Sequence, residues 1–159
     1  MAKPWLMGID LGGSGVRCLL VDSSSGASAG TGSAWCFTPA EGTFGTGFDL
    51  DLEQTWQAVG EACRQALAKA GAGANDVAAL AVSAMRFSTV LTAKNGDVLL
   101  ATPNNDARAA GECFEIADRF ADSLLQATGS PALPLHAAAR LCWLQKQDAH
   151  SFGRIANVY

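Results

Sequence analysis

The stretch "GIDLGGSGVR", residues 8–17, sets an aspartate at the end of one apolar run and follows it with glycines, a serine and an arginine. Trp5-Leu6-Met7-Gly8-Ile9 leads into it, and Val16-Arg17-Cys18-Leu19-Leu20-Val21 continues it. Two apolar runs joined by so short a connection form a β-hairpin, and Gly-Gly-Ser-Gly supplies the positive φ angles such turns need. Asp10 is expected where the first strand ends. That is a costly place for a carboxylate unless a cation or hydrogen-bond donors compensate it.

Main-chain N–H groups of a glycine-rich turn converge on an anion, and small side chains let it approach. Gly12, Gly13, Ser14 and Gly15 suit that task, with the Ser14 hydroxyl as a further donor and Arg17 as a positive charge. A carboxylate repels a phosphate, so Asp10 fits better as a ligand to Mg²⁺, directly or through water. Mg²⁺ is commonly held by one or two carboxylates together with phosphate oxygens. The turn reads as a nucleotide-phosphate and magnesium site. Local spacing leaves a plain tight hairpin with an exposed aspartate equally open. A dinucleotide fold is the weaker reading, because G-x-G-x-x-G is not matched and a strand follows rather than a helix; a P-loop is excluded, because no Gly-Lys-Ser/Thr follows.

Further along, "DSSSG" (22–26) is a turn and "ASAGTGSAWCF" (27–37) a third antiparallel strand, followed by a glycine- and threonine-rich loop over 38–48. A helix starts at Asp51, an N-cap with Gln54 three residues on, and Gly71 stops it. Its expected buried stripe is Leu52, Trp56, Val59, Cys63, Leu67 and Ala70. "VAALAVSAM" (77–85) reads as a buried strand, and "FSTVLTA" as another that turns at Lys94-Asn95-Gly96-Asp97 and returns through Val98-Leu99-Leu100. Asn-Gly is among the strongest hairpin signals. A helix from near Asp106 to Gly129 is expected to bury Cys113, Phe114, Ala117, Phe120, Ala121 and Leu124. Another follows over 136–147 with Ala139, Arg140, Trp143 and Leu144, and Val158-Tyr159 begins a strand. Trp56, Phe114, Phe120, Trp143 and Trp35 are expected in the core.

The 159 residues suit one domain with a real core, and 49% hydrophobic with 16% charged residues is a globular composition. A net charge of −4 argues against non-specific nucleic-acid or anionic-membrane surfaces, which need basic patches. No stretch resembles a signal peptide or a membrane span. The cysteines at 18, 36, 63, 113 and 142 are widely spaced and lack any CxxC, as in a cytoplasmic protein with reduced, buried thiols. His136 and His150 lie far from other metal ligands, so a zinc site is not expected.

Strand, strand, strand, helix, strand is the order of the ribonuclease H-like α/β fold, a layered mixed sheet flanked by helices. In that architecture the tip of the first hairpin points into the ligand cleft, near the carboxyl end of a strand.

"GIDLGGSGVRCLLVD", "FDLDLEQTWQAVGEACRQAL", "VAALAVSAMRFSTVLTAKNGDVLLATPNNDARA" and "TGSPALPLHAAARLCWLQKQ" occur in this order. Together they resemble the FGGY carbohydrate kinases of the sugar kinase, heat-shock 70 and actin superfamily, over nearly the whole chain. The resemblance implies that Asp10 is the magnesium-associated aspartate and that Gly13, Ser14 and Gly15 contact nucleotide phosphate, with Arg17 matching the family's arginine after that loop. It implies that Met85, Arg86 and Phe87 form a substrate-contact loop, and that Asn104, Asn105, Asp106 and Arg108 align with the family's Trp-Gln-Asp-x-Arg element. Asn104 stands where many members carry a tryptophan, and Phe87 where glycerol kinases carry a glutamate; both speak against glycerol. "SAMRF" and "PNNDARA" look closest to the autoinducer-2 kinase branch, which points to a linear, heavily hydroxylated carbonyl compound or sugar.

The family has two ribonuclease H-like domains with the active site between them. The resemblance therefore implies that residues 1–159 are the amino-terminal portion of the first, with the catalytic base, an aspartate, and the adenine-binding half elsewhere. No residue here is assigned as that base. The activity implied is ATP-dependent, Mg²⁺-assisted phosphorylation of a sugar or polyol hydroxyl, in a cytoplasmic protein that forms a homodimer at full length and contacts neither nucleic acid nor membrane. The chain alone is expected to be inactive.

Competing readings remain for several residues. Asp106 equally suits the N-cap of the following helix, Arg108 an ion pair with Glu112, and Arg86 a surface arginine with weak partners. Two other functions share the fold: a non-catalytic ligand-binding module, and a ribonuclease H-type nuclease. The nuclease needs clustered carboxylates for two metals, and only Asp10 lies at a strand end.

Overall fold

In the computed structural model, which describes residues 4–159, the opening hairpin pairs β1 (Trp5–Gly12) with β2 (Gly15–Asp22), from Trp5↔Asp22 to Gly12↔Gly15. β1 runs two residues past Asp10, so the aspartate lies within the strand, opposite Arg17. A positive φ falls on Gly15 (154°), where a Cβ would stand 2.3 Å from the Ser33 carbonyl oxygen. Glycine is needed there because β3 (Ser28–Ala34) comes in against β2, with Gly15 facing Ala34. β3 ends earlier than expected, leaving Trp35, Cys36 and Phe37 outside it.

The helix α1 (Leu52–Ala70) begins and ends where its caps dictate. The Asp51 carboxylate accepts from Gln54 N–H at 2.9 Å, and Gly71 takes the left-handed conformation (φ 63°) that releases the last turn. Asp51→Ala is expected to lower stability by about 1 kcal/mol; an unchanged urea midpoint would contradict the capping role. α1 buries Val59, Ala62 and Ala66 against Met7, Ile9, Val16, Cys18 and Leu20, with Cys63 and Leu67 partly buried beside them. Trp56, expected in the core, is 74% exposed. Small residues let the helix lie close to β3, where Thr31 donates to the Ala62 carbonyl at 2.8 Å.

β6 (Val77–Ala84) pairs in parallel with β1, giving the mixed sheet order β3-β2-β1-β6. This strand triplet, helix and parallel fourth strand is the expected ribonuclease H-like α/β arrangement. β6 is not buried: it forms one edge, and Leu80 and Val82 are exposed. These elements make one compact unit, which runs through Cys36 and takes in Asp51–Met85.

The second unit comprises Phe37–Leu50 and Arg86–Tyr159. Its first segment, expected as a plain loop, pairs β4 (Thr38–Pro39) with β5 (Phe48–Asp49). β7 (Thr89–Ala93) and β8 (Val98–Thr102) form the Asn-Gly hairpin, with Gly96 at φ 89°. β9 (Ile155–Val158) pairs antiparallel on the other side of β7, so the expected last strand starts three residues earlier than Val158 and ends there. Helices α2 (Ala110–Thr128), α3 (Ala137–Gln147) and the short α4 (Ala149–Gly153) complete the unit. α2 ends at left-handed Gly129 as expected, but Phe114 is 72% exposed and Phe120 is also exposed, so its buried stripe shrinks to Glu112 and Cys113. Ala109, not Asp106, is its N-cap.

The five cysteines are free. Burial, reinforced by neighbouring Cys63, pushes the Cys18 thiol up to about 12, as befits a thiol acting as a small hydrophobe. Cys36 departs from the expectation of burial and is exposed. The indole Nε1 of Trp35 is buried without a partner among the described residues.

Candidate functional site

In the first unit, the antiparallel register puts Asp10 and Arg17 directly opposite each other, so both side chains project from the same face of the sheet. Arg17 Nη1 donates to Asp10 Oδ2 at 3.3 Å, with the side chains 72% and 49% exposed. The carboxylate is compensated by a neighbouring guanidinium and by water rather than buried, which corrects the expectation of a costly buried charge.

The tip itself is open. Gly13 and Ser14 are exposed, and the Ser14 carbonyl accepts from Trp35 N–H at 3.3 Å, tying the turn to the end of β3. Asp10 and Arg17 line a cleft of about 460 Å³ with Gly8, Leu19, Val82 and Ser83. A second hollow of about 350 Å³ runs from Ser14 to Arg17 along Gly32–Ala34. Among the described residues, no three His, Cys, Asp or Glu side chains gather as a metal cluster. One accessible carboxylate beside the exposed Gly13-Ser14 turn fits an ion that brings its own phosphate and water ligands, and does not fit a metal held by protein alone.

In the second unit, Arg86 and Phe87 form a turn. Phe87 holds a left-handed backbone (φ 63°), uncommon for a bulky residue. Its ring packs against His136 at 5.5 Å, and the exposed Arg86 guanidinium lies over it at 5.5 Å. Arg86 joins no ion pair among the described residues, and its exposure leaves both readings of it open. Met85 closes the first unit.

Asn104 is half-buried and Asn105 exposed, and their amides make no protein hydrogen bond among the described residues. Both amides are available to an outside ligand. Asp106 is different: it is fully buried, accepting from Phe48 N–H at 3.0 Å, Arg108 Nε at 2.7 Å and Arg140 Nε at 3.1 Å. Arg108, also buried, donates to the Phe48 carbonyl at 2.5 Å and Asp49 Oδ1 at 2.6 Å, and lies over the Trp143 ring. Its pairing with Glu112 does not form; Lys146 holds Glu112 instead at 3.3 Å.

Arg140 is the residue that sequence reading passed over as one more position on a helix. Burial pulls its pKa below the usual guanidinium value, Asp106 opposes that shift, and Arg108 adds to it. The signal was present, since an arginine between Ala139 and Trp143 on an apolar helix face must find a buried carboxylate.

Residues 5–159 match the FGGY family of carbohydrate kinases, N-terminal domain. An autoinducer-2 kinase from Escherichia coli is 33% identical over 161 residues, which covers 99% of this chain and 30% of that protein. A xyloylose kinase structure from Brucella ovis superposes with a TM-score of 0.84 at 23% identity, over 98% of this chain and 32% of that one. The Plasmodium falciparum glycerol kinase with ADP gives 0.76 at 10% identity, over 98% and 32%. The chain thus spans about a third or less of the proteins it resembles, and it belongs to the FGGY family of carbohydrate kinases, whose N-terminal domain it matches.

Proposed function

We propose that the protein carrying this sequence is a carbohydrate kinase that transfers the γ-phosphoryl group of ATP to a hydroxyl of a sugar, polyol or linear hydroxylated carbonyl compound. In this reading the chain is the amino-terminal portion of the first kinase domain. The observation that carries it is the open Gly12–Gly15 tip with accessible Asp10 set opposite Arg17. Family membership supports it, as does the autoinducer-2 substrate named for the Escherichia coli relative.

Phosphoryl transfer depends on positioning and charge neutralisation. Asp10 would hold Mg²⁺, which when bound neutralises phosphate charge. The exposed amides of Gly13 and Ser14 and the Ser14 hydroxyl would donate to phosphate oxygens, Gly12 and Gly15, paired with each other in the ladder, would leave room for the anion to approach, and Arg17 would add positive charge. Met85, Arg86 and Phe87, with Asn104 and Asn105, would orient the acceptor by hydrogen bonds and apolar contact. Asp106 and Arg108 would enter differently: the Asp106 carboxylate is buried against Arg108 and Arg140, and Arg108 against Asp106, Phe48 and Asp49, so they would hold the Asn104-Asn105 segment in place rather than contact the acceptor. The catalytic base is assigned to no residue of this chain.

The test is an acceptor panel of pentuloses, polyols and linear hydroxylated carbonyl compounds, given to the full gene product with ATP and Mg²⁺. Acceptor-dependent ADP release is expected, favouring the linear hydroxylated carbonyl compounds over glycerol, and none from the 159-residue chain alone. No acceptor-dependent release anywhere on the panel would refute the proposal.

A further inference from the structure

We propose that Arg140 is a positioning residue for the acceptor: it locks the 86–89 and 103–106 segments into one arrangement, so that Arg86 and Phe87 on one and Asn104 and Asn105 on the other present themselves together. This rests on the kinase reading above.

A guanidinium has five N–H donors in a rigid plane. Arg140 is fully buried, and all five find acceptors. Nη1 donates to the Phe87 carbonyl and to Thr89 Oγ1 at 2.9 Å. Nη2 donates to the Pro103 carbonyl at 2.7 Å and the Asp106 carbonyl at 3.1 Å. Nε donates to the Asp106 carboxylate at 3.1 Å. One side chain from α3 thus holds both candidate acceptor segments by their main chains.

A left-handed backbone at a bulky residue persists only where its surroundings over-determine it. At Phe87 they do: α3 holds the carbonyl through Arg140 and the ring through His136, which stands at the helix N-cap. Stability alone does not account for the arrangement, because a buried ion pair is often replaceable by apolar residues without loss. What apolar residues cannot supply is a fixed distance between two separate loops.

Lysine keeps the charge for Asp106 but has a single ammonium that cannot span both loops. In the full gene product, Arg140→Lys is expected to raise the acceptor KM about tenfold, as for the loss of a charge-assisted hydrogen bond, with the KM for ATP within about twofold of wild type. Amide exchange is expected to quicken over 86–89 and 103–106 together. An unchanged acceptor KM in a variant that merely unfolds at lower temperature would overturn the proposal. If Arg140→Lys does not fold, Thr89→Val removes one acceptor while keeping the side chain's size. It is expected to raise the acceptor KM about threefold; a wild-type KM there would equally overturn it. A wild-type protein inactive on the whole acceptor panel would instead refute the kinase reading itself.

Discussion

Replacing Asp10 with alanine is expected to reduce phosphoryl transfer by the full gene product at least about 100-fold, the scale seen when one preorganised electrostatic contact to a transition state is lost. The fold is expected to survive. Asp10 meets Arg17 at the surface of the sheet, and an exposed pair of this kind contributes roughly 0–1 kcal/mol. The hydrophobic contacts that hold the hairpin, from Met7, Ile9, Val16, Cys18 and Leu20, lie on the opposite face and are untouched. Turnover and the thermal midpoint, measured on the same preparation, separate the two effects. Wild-type turnover in Asp10→Ala would remove Asp10 from the metal site and leave a plain hairpin in its place.

The largest effect on stability is expected at Asp106. Asp106→Leu leaves Arg140, fully buried, without its carboxylate partner, and Arg108, nearly as buried, with Asp49 alone. Breaking one side of a buried ionic cluster costs about 3–5 kcal/mol, because a desolvated charge is left alone. The Phe48 N–H loses its acceptor as well. Urea unfolding of the chain should show the loss directly; a change below about 1 kcal/mol would mean that water reaches the guanidinium groups. The double variant Asp106→Leu with Arg140→Met should recover part of the loss, since removing both partners removes the unpaired charge. Recovered stability without recovered acceptor binding is the pattern expected if the cluster serves to hold the two loops.

Short-range chemistry was legible. The hairpin at 8–17, the Asp51 cap, the Gly71 and Gly129 stops and the Asn95-Gly96 turn are each decided within a few residues, by φ preference and local hydrogen bonding, and each formed where the sequence placed it. The order of elements followed, and with the four motifs it led to the family. The candidate site at Asp10 and its glycines was singled out on the same kind of signal, since an acidic residue beside a glycine turn is a local pattern.

Burial and partnership were not legible in that way. Trp56 on α1 and Phe114 and Phe120 on α2 recur at the helical spacing of their buried neighbours, yet all three are exposed, because spacing gives a residue's direction around its helix and not whether another element covers it. Asp106 showed every local mark of a helix cap or a ligand contact. It is neither cap nor exposed group, because Arg140, 34 residues away, reaches it through the core. The amino-acid order by itself determined the hairpin, the caps, the sequence of strands and helices, and the family. Only the tertiary structure decided which side chains are dry, that Asp106, Arg108 and Arg140 share one charge cluster, and that Phe87 turns left-handed above it. A turn is settled by the residues that make it, whereas the free energy of a buried charge is settled by whatever distant group the fold brings to its side.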